Sequence, residues 1–361
     1  MRNYFGTWAV ANPDRGNPLK PGELLLIGGA YQFLPDMSVA AVLDFRDAAT
    51  RIHRRRLHGL GRAGRRGSIL CCYADGISDC FHLSNDGFLY REQSSLPSVD
   101  MDVRLYRVPH EHMAAIPPIA PGMLFNTMPK SGSIYISNYL SNGLRLGQMK
   151  VATSLFPDDL VLRDRLDILA AGDVISQQHV PARDINLRFI AARIPNIVVH
   201  LRDPRQAMLS WVHHLNNFNQ NRHERGCVLG LEATSPALPN GYFDWPFERK
   251  IDFQIEHHLA QLVEWTMGWV STADSNPYGL AVHITTFERY VAAPRMTIEG
   301  ILSFFGVPDS QFDWEAAPAK TPRTHFRRGL TEEWRSVFTA QQIEKSTQTV
   351  PAVLRDRFSW P

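Results

Sequence analysis

The sequence has few of the features that mark secreted, metal-binding or membrane proteins. Four cysteines occur in 361 residues, too few for a disulfide framework in a chain of this length. Cys71, Cys72 and Cys80 lack the paired spacing of a zinc site. Residues 1–13 lack the apolar core of a secretory signal. No apolar run reaches the roughly 18 residues that a spanning helix needs, so we expect a cytoplasmic protein without a membrane partner.

An excess of charge of one sign is also missing. The 38 Lys and Arg residues nearly balance 36 Asp and Glu residues, which leaves a formal net charge of +2. Nucleic acids and membrane surfaces usually bind more strongly basic chains. Arginines do cluster between Arg51 and Arg66, but no aromatic residues interleave with them as a platform for single strands would require. The cluster is therefore interpreted as a solvated face, and no nucleic-acid partner is expected.

The first part of the chain is rich in short strand-like segments. Apolar residues make up 44% and charged residues 20% of the chain, an ordinary globular composition. Between the first two strand-like segments, apolar residues at helical spacing predict a helix from Val39 to about Arg56. Prolines in Ala115–Gly122 disfavour both helix and central strand. We therefore predict a β-rich region over residues 1–117 and a second domain over 118–361. The strand-like segments are Glu23–Gly28, Ser68–Tyr73, Gly87–Arg91 and Arg104–Val108.

After this boundary the pattern changes to strands alternating with helices. The expected strands are Met123–Met128, Asp173–Gln178, Asn196–Leu201 and Gly279–Thr286, and helices are expected at Ser133–Leu146 and Arg295–Phe305. Alternation of this kind predicts an α/β fold, a three-layer sandwich whose central parallel sheet is covered on both faces. Such sheets bind ligands at the carboxyl ends of their strands, so functional residues are sought there.

The first motif is Pro129–Ser133, between the first strand and its helix. A turn here directs backbone N–H groups and a helix N-terminus at one point, which suits a phosphate or sulfate. Lys130 adds a positive charge, and Gly132 permits close approach of the backbone. The segment is not a Walker loop, because its lysine precedes the glycine. An ordinary strand-to-helix turn with a surface lysine is the competing interpretation.

The second motif follows the third strand. Arg202 stands at the strand end, and Asp203 with Pro204 is typical of a helix start. Ser210 lies about two turns along that helix. A guanidinium and a hydroxyl converging on one anion would form a phosphate site. Pairing of the arginine with a neighbouring carboxylate is the alternative.

A third segment completes a pattern in chain order: His325–Gly329, followed by Trp334. Pro129–Ser133 resembles the 5′-phosphosulfate loop of sulfotransferases that use 3′-phosphoadenosine 5′-phosphosulfate (PAPS). Arg202 with Ser210 resembles the 3′-phosphate motif of that family. The third segment is similar to its C-terminal Arg-Lys-Gly loop with the following tryptophan. The resemblance covers about residues 122–358 and leaves the first part of the chain unmatched.

The resemblance implies transfer of a sulfuryl group from PAPS and assigns roles to individual residues. Lys130 would stabilise charge on the leaving phosphate oxygen, and one such donor typically contributes about 10²–10³ in rate. Tyr135 stands where the family usually has a tryptophan stacked on adenine. No metal is expected, because Lys130 and the arginines would neutralise the phosphates. The implied cofactor-binding residues are Lys130, Ser131, Gly132, Ser133, Ile134, Tyr135, Arg202, Ser210, Arg327, Arg328 and Gly329.

The acceptor needs a general base, and His179 is our candidate. One branch of the family has a histidine just after the second strand, in a Lys-x-His-Leu-Pro context. This chain has Gln177 where that lysine stands, which puts one contact to the sulfuryl group in doubt. The carbohydrate branch uses a glutamate in the segment after the phosphate loop, and here only Asp158 or Asp159 could take that role.

The acceptor itself is not determined by the sequence. The resemblance is compatible with a hydroxyl or an amine on a small molecule or a carbohydrate. Two other functions remain open. A kinase-like phosphoryl transferase would need a Mg²⁺ site with an acidic residue at a strand end, and no convincing one is present. The second open function is that of a non-catalytic nucleotide-binding protein of the same fold.

Overall fold

The computed structural model describes residues 6–10, 24–33, 37–47, 52–63, 68–73, 78–83, 89–94, 103–108, 118, 120–153, 156–220, 236–318 and 329–361. All structural statements below concern these residues. They form a closed antiparallel barrel followed by a five-stranded sheet covered by helices.

Eight strands form the barrel in the order of the chain. Each strand pairs antiparallel with the next, and β8 pairs with β1, for example Thr7 with Val108, which closes the barrel. The β-rich region predicted before residue 117 is therefore confirmed. The strands are β1 (Gly6–Val10), β2 (Leu24–Phe33), β3 (Ser38–Asp47), β4 (Ile52–Ala63), β5 (Ile69–Tyr73), β6 (Ser78–Leu83), β7 (Leu89–Ser94) and β8 (Val103–Val108).

The helix predicted from Val39 to Arg56 is wrong. This segment forms strand β3 and the start of β4, which pair antiparallel with Val39 opposite Gly59. Every second residue of β3 faces the barrel core, and the buried set is Val39, Ala41, Leu43 and Phe45. Val42 on the opposite face is also buried, against Ala30. Because apolar residues cover both faces, the period of two is obscured and the segment resembles an apolar helix.

The barrel interior combines aromatic packing with a buried polar cluster. The Phe81 ring packs edge-on against Tyr31 at 4.8 Å between centroids. The Tyr31 and Tyr73 hydroxyls donate to one carboxylate oxygen of Asp79, at 3.1 and 3.2 Å. Arg91 is buried beside them and lies 3.5 Å from the Tyr31 hydroxyl. Burial raises the pKa of Asp79, and the charge of Arg91 opposes this rise.

The second part of the chain is built on five parallel strands in the order β10-β11-β9-β12-β13. The prediction of an α/β fold with a central parallel sheet is thus confirmed. Barrel strand β4 contacts the β10 edge of this sheet and its neighbour β11. The strands are β9 (Met123–Thr127), β10 (Gly147–Gln148), β11 (Val174–Gln178), β12 (Asn196–Leu201) and β13 (Ala281–Thr286).

Helices cover both faces of the sheet. Leu124 and Val199 face a cluster that includes Val212 and Leu259, whereas Phe125 faces Leu140 and the helix after β13. None of the described helices has the length and apolar character needed to cross a bilayer. The helices are α1 (Ser133–Leu144), α2 (Arg163–Ala170), α3 (Asp184–Ala191), α4 (Pro204–Gln220), α5 (Phe247–Ser275), α6 (Phe287–Ala292), α7 (Pro294–Phe304), α8 (Trp334–Val337), α9 (Ala340–Thr349) and α10 (Ala352–Phe358).

The hydrophobic clusters follow the division that the sequence predicts. The barrel cluster draws its members from Trp8 to Leu105, and the clusters around the sheet begin at Ala120. No cluster shares a member with the other part among the described residues. This arrangement supports a boundary at residues 117 and 118, which stays a prediction.

Candidate active site

The loop between β9 and α1 turns sharply at the carboxyl end of the sheet. Lys130 and Gly132 both have left-handed backbone conformations, with φ of 64° and 80°. A Cβ atom on Gly132 would lie 2.9 Å from the ring of Phe287. Glycine is therefore needed at this position for two reasons, its backbone conformation and the close approach of the ring. Helix α1 begins at Ser133, directly after this turn, with Gly132 as its N-cap.

Arg202 joins the loop to the C-terminal segment. Its Nη1 donates to the carbonyl oxygen of Lys130 at 2.7 Å, and its Nη2 donates to that of Leu330 at 2.6 Å. The guanidinium also stacks over the Phe287 ring at 4.1 Å, and the residue is only 6% exposed. The loop after β9 and the segment that begins at Gly329 therefore meet at one arginine, although Lys130 and Leu330 are 200 positions apart in the chain.

The C-terminal segment is fixed to helix α4 next to Arg202. Asp203 and Arg205 form a fully buried ion pair at 2.8 Å. The Arg205 guanidinium stacks on the ring of Trp334 at 4.1 Å. The backbone N–H of Trp334 donates to Gln206 at 3.2 Å. These contacts hold Gly329, with φ of 68°, near the end of β12. Arg327 and Arg328 lie outside the described residues.

The other residues predicted to bind the cofactor lie along α1 and α4. Ser133 is buried at the start of α1, and Ile134 is 39% exposed beside it. Tyr135 is half-buried and packs against the cluster of Phe125 and Leu140. Ser210 is half-buried on α4. The Ser131 hydroxyl donates to the carbonyl oxygen of Met128 at 2.7 Å, so this hydroxyl closes the loop.

His179 follows β11 beside the end of β9. Its Nδ1 donates to the carbonyl oxygen of Thr127 at 2.6 Å. Because a carbonyl oxygen only accepts, Nδ1 carries the proton and the basic lone pair lies on Nε2. Burial lowers the pKa of His179 to about 4, and the charges of Lys150 and Lys130 also lower it while the Thr127 bond raises it. The imidazole is thus neutral near pH 7 and able to accept a proton through Nε2.

Gln177 connects His179 with two neighbouring groups. Its amide nitrogen donates to the Thr127 hydroxyl at 2.8 Å and lies 3.4 Å from Nε2 of His179. Its backbone carbonyl accepts from the Lys150 amine at 3.0 Å. Sequence reasoning missed both Thr127 and Lys150. Thr127 ends the first strand and could have been found from that position, whereas no local pattern marks Lys150.

The two aspartates considered as alternative bases have different surroundings. Asp158 is exposed and paired with Arg183 on the surface. Asp159 is only 1% exposed, and its charge acts on the Lys150 amine. The surface ion pair makes Asp158 a weak candidate, while Asp159 lies within electrostatic reach of the site.

His200 contacts the loop between β9 and α1, and sequence reasoning also missed it. It is buried in β12, where Nε2 donates to the carbonyl oxygen of Ser131 at 3.1 Å. The Thr285 hydroxyl lies 2.8 Å from its Nδ1. Burial lowers the pKa of His200 to about 4, so the ring stays neutral. A neutral imidazole therefore ties the loop to the neighbouring strands.

Aromatic side chains lie beside His179. Trp265 donates from its indole N–H to the His179 carbonyl oxygen at 3.0 Å. The Phe156 ring lies 6.4 Å from the His179 ring and 6.0 Å from that of His258, between centroids. Trp211 packs next to His258 at 5.6 Å. An acceptor reaching His179 from this side would meet a largely aromatic surface.

No group of three His, Cys, Asp or Glu side chains forms a potential metal site within the described ranges. The expectation of a metal-free reaction rests on the charges of Lys130 and the arginines, and it stays a prediction.

A family model described as a sulfotransferase domain matches residues 123–356. This range begins at the first residue of β9 and ends within α10, so it includes the whole parallel sheet and the site at its edge. None of the curated proteins matches the chain.

Several solved structures resemble the chain. A mouse sulfotransferase, SULT7A1, complexed with PAP has 12% identity and a TM-score of 0.43, with 74% of this chain and 92% of that chain covered. A sulfotransferase from Alicyclobacillus acidocaldarius has 16% identity and a TM-score of 0.37, with 64% of this chain and 95% of that chain covered. A sulfotransferase domain from the curacin biosynthetic pathway has 11% identity and a TM-score of 0.36, with 63% of this chain and 97% of that chain covered.

Proposed function

Because the chain belongs to the sulfotransferase domain family, we propose that it transfers a sulfuryl group from PAPS to a hydroxyl or amine of a small-molecule or carbohydrate acceptor. Sulfuryl transfer in general follows from the family. The donor, the acceptor class and the role of each residue are our proposal. The observation that supports it most is Arg202, which donates to the carbonyl oxygens of both Lys130 and Leu330 and so joins the loop after β9 to the C-terminal segment.

The residues at this edge fit a nucleotide with two separate anionic ends. Lys130 and the N-terminus of α1 would hold the 5′-phosphosulfate, since N–H groups and the helix dipole favour negative charge there. The absence of a Cβ at Gly132 allows the Phe287 ring to pack directly against the loop. Ile134 and Tyr135, on the first turn of α1, would lie near the adenine. The residues assigned to the 3′-phosphate are Arg202, Ser210, Arg327, Arg328 and Gly329.

The proposed reaction exchanges one bond to sulfur for another. The acceptor oxygen or nitrogen forms a bond to sulfur, and the bond from sulfur to the 5′-phosphate oxygen breaks with its electron pair on that oxygen. Lys130 stabilises the negative charge that develops on the phosphate oxygen. The acceptor proton moves to Nε2 of His179. The products are the sulfated acceptor and 3′-phosphoadenosine 5′-phosphate (PAP).

His179 suits the role of base because of its hydrogen bond to Thr127. That bond holds the proton on Nδ1 and leaves Nε2 as the acceptor. The low pKa of His179, about 4, keeps the ring neutral throughout the physiological range. Negative charge on a bound donor would raise this pKa and so increase the basicity of Nε2 during the reaction.

A mass-spectrometric screen tests the proposal directly. The full-length chain is incubated with PAPS and a panel of phenols, alkyl alcohols, amines and oligosaccharides, and products are inspected for the addition of one sulfuryl group. Calorimetry in parallel measures the binding of PAP, ATP and adenosine 5′-monophosphate. Binding of PAP far above ATP, with a sulfated product, supports the proposal. Preference for ATP in the presence of Mg²⁺ would contradict it, and tight PAP binding without any product would indicate a binding protein.

A further inference from the structure

Lys150 lies at the carboxyl edge of the sheet, next to the proposed base. It follows the two-residue strand β10, and the N–H of Met149 still donates to Ile175 of β11 at 3.1 Å. The chain therefore runs alongside β11 and brings the Lys150 amine level with Gln177. The amine donates to the Gln177 carbonyl oxygen at 3.0 Å and lies 3.5 Å from the oxygen of its side chain.

The charge of Lys150 acts on the proposed base. Lys150 and Lys130 both lower the pKa of His179, and Lys150 has the larger effect of the two. Because an electrostatic interaction weakens with distance and with intervening solvent, the Lys150 amine is at least as closely coupled to His179 as the Lys130 amine is. Two cations from different loops therefore act on the same imidazole.

Two features of the surroundings act on the charge of Lys150 in opposite directions. Burial of the amine lowers the pKa of Lys150, and the negative charge of Asp159 opposes this change. Asp159 is itself buried, so its field is weakly screened by water. Asp158 is turned to the surface, where it pairs with Arg183. The charge of Asp159 thus offsets part of the cost that burial imposes on the Lys150 ammonium.

The transferred group needs a donor of this kind. During transfer, the sulfuryl oxygens lie between the acceptor, which faces His179, and the leaving oxygen, which faces Lys130. An ammonium has three N–H donors, and its two contacts with Gln177 leave a third direction. We propose that Lys150 is a further catalytic residue, whose ammonium donates to an oxygen of the sulfuryl group. Lys150 keeps its proton throughout, and the bonds made and broken are those of the proposed function, on which this inference rests.

Binding measurements separate this role from a general effect of charge. PAPS carries the sulfuryl group and PAP lacks it, so Lys150→Gln should weaken PAPS binding on the order of tenfold, the usual loss for a hydrogen bond to a charged group. PAP binding should change less than about twofold. Equal weakening of both nucleotides, or no weakening of either, would overturn the inference. Lys150→Arg keeps the charge and should retain much of the preference for PAPS over PAP.

A relocated amine provides a second test that does not depend on turnover alone. Because the Gln177 side chain touches the Lys150 amine, the double variant Lys150→Gln with Gln177→Lys returns a cation to nearly the same place. We expect it to recover PAPS preference and part of the turnover that Lys150→Gln loses. Failure of the double variant to recover either quantity, with an unchanged melting temperature, would count against the role of Lys150.

A matched control and the wild-type protein keep the two proposals distinguishable. Lys345 is an exposed lysine on α9 that pairs with Glu256 at 2.6 Å, so Lys345→Gln should leave both nucleotide affinities unchanged. If the wild-type chain binds neither PAPS nor PAP, the proposed function itself fails. If it binds both and Lys150→Gln does not discriminate between them, only the role of Lys150 fails.

Discussion

The Nδ1 atom of His179 lies 2.6 Å from the carbonyl oxygen of Thr127, and this contact determines which imidazole nitrogen can accept a proton. The same threonine accepts from the Gln177 amide through its hydroxyl at 2.8 Å. Thr127 ends the central strand β9, so its carbonyl cannot move without disturbing the sheet. The base is therefore oriented by a strand whose five residues are all buried.

Replacement of His179 by alanine should reduce turnover on the order of 10²-fold or more, because a positioned base typically contributes about 10²–10⁴. The PAP affinity should be nearly unchanged, since His179 is not among the residues proposed to hold the nucleotide. Steady-state kinetics and calorimetry measure the two quantities. His283→Ala removes a half-buried imidazole stacked on Phe304 and serves as the control. Retained activity in His179→Ala, with loss in Asp159→Asn, would assign the base to the carboxylate.

The pH dependence should reflect the lowered pKa of His179. The base is active when neutral, so activity is lost as pH falls through the pKa, which burial lowers to about 4. For the free enzyme, kcat/KM should therefore stay level from about pH 8 to well below the ordinary histidine value of about 6.5. A bound donor is negatively charged, so the falling limb of kcat should lie at higher pH than that of kcat/KM. A fall of kcat/KM with its midpoint near pH 6.5 would contradict this prediction, provided that PAP binding shows the protein to be intact.

Replacement of Arg202 by alanine should discriminate between nucleotides. Loss of the guanidinium should weaken PAP binding more than tenfold and adenosine 5′-monophosphate binding much less, because charge-assisted bonds to phosphate are strong. Arg202→Lys keeps the charge but not the two-pronged geometry and should be intermediate. Arg193, a surface arginine paired with Asp167, provides the control Arg193→Ala. Equal weakening of both nucleotides would show that Arg202 acts through the Lys130 loop and not on the 3′-phosphate.

Replacement of Gly132 by alanine should displace the loop. The new methyl group would lie 2.9 Å from the Phe287 ring, at a left-handed φ of 80°. Gly306 has a similar φ of 69° but no atoms within 4 Å of the same position. Gly306→Ala should therefore cost about 1 kcal/mol of stability from the backbone alone and leave PAP affinity unchanged. Gly132→Ala should weaken PAP binding as well. Equal PAP affinities in the two variants would contradict the proposed phosphate loop.

Replacement of Arg91 by methionine should destabilise the barrel in a pH-dependent way. The change leaves the Asp79 carboxylate buried without its compensating cation, which typically costs about 3–5 kcal/mol. Burial raises the pKa of Asp79, so the folded state takes up a proton more readily than the unfolded chain. The loss should therefore shrink as pH falls from 7 towards 5. Urea unfolding at several pH values measures this loss of stability. The double variant Arg91→Met with Asp79→Asn should recover part of it. A loss that is independent of pH would rule out an uncompensated carboxylate as its cause.

The comparison of sequence with structure separates local from distant determinants. The phosphate-loop motif and the strand end at Arg202 are readable from the sequence because each is a contiguous segment with its own turn and capping signals. The strands predicted at Asn196–Leu201 and Asp173–Gln178 match β12 and β11 closely, since each contains adjacent β-branched residues in a short segment. The barrel strand β3 was mistaken for a helix, because burial on both faces removes the alternation that identifies a strand.

Sequence alone thus determined the family pattern, the parallel sheet and the residues of the proposed phosphate loop. Tertiary structure decided which residues meet around them. Lys150 follows a strand of two residues and reaches Gln177 across 27 positions, and His200 supports Ser131 across 69 positions. Contacts of this kind depend on the register of neighbouring strands, which no single segment encodes. The physical reason is that local propensity acts within a few residues, whereas the order of strands in the sheet places distant side chains side by side.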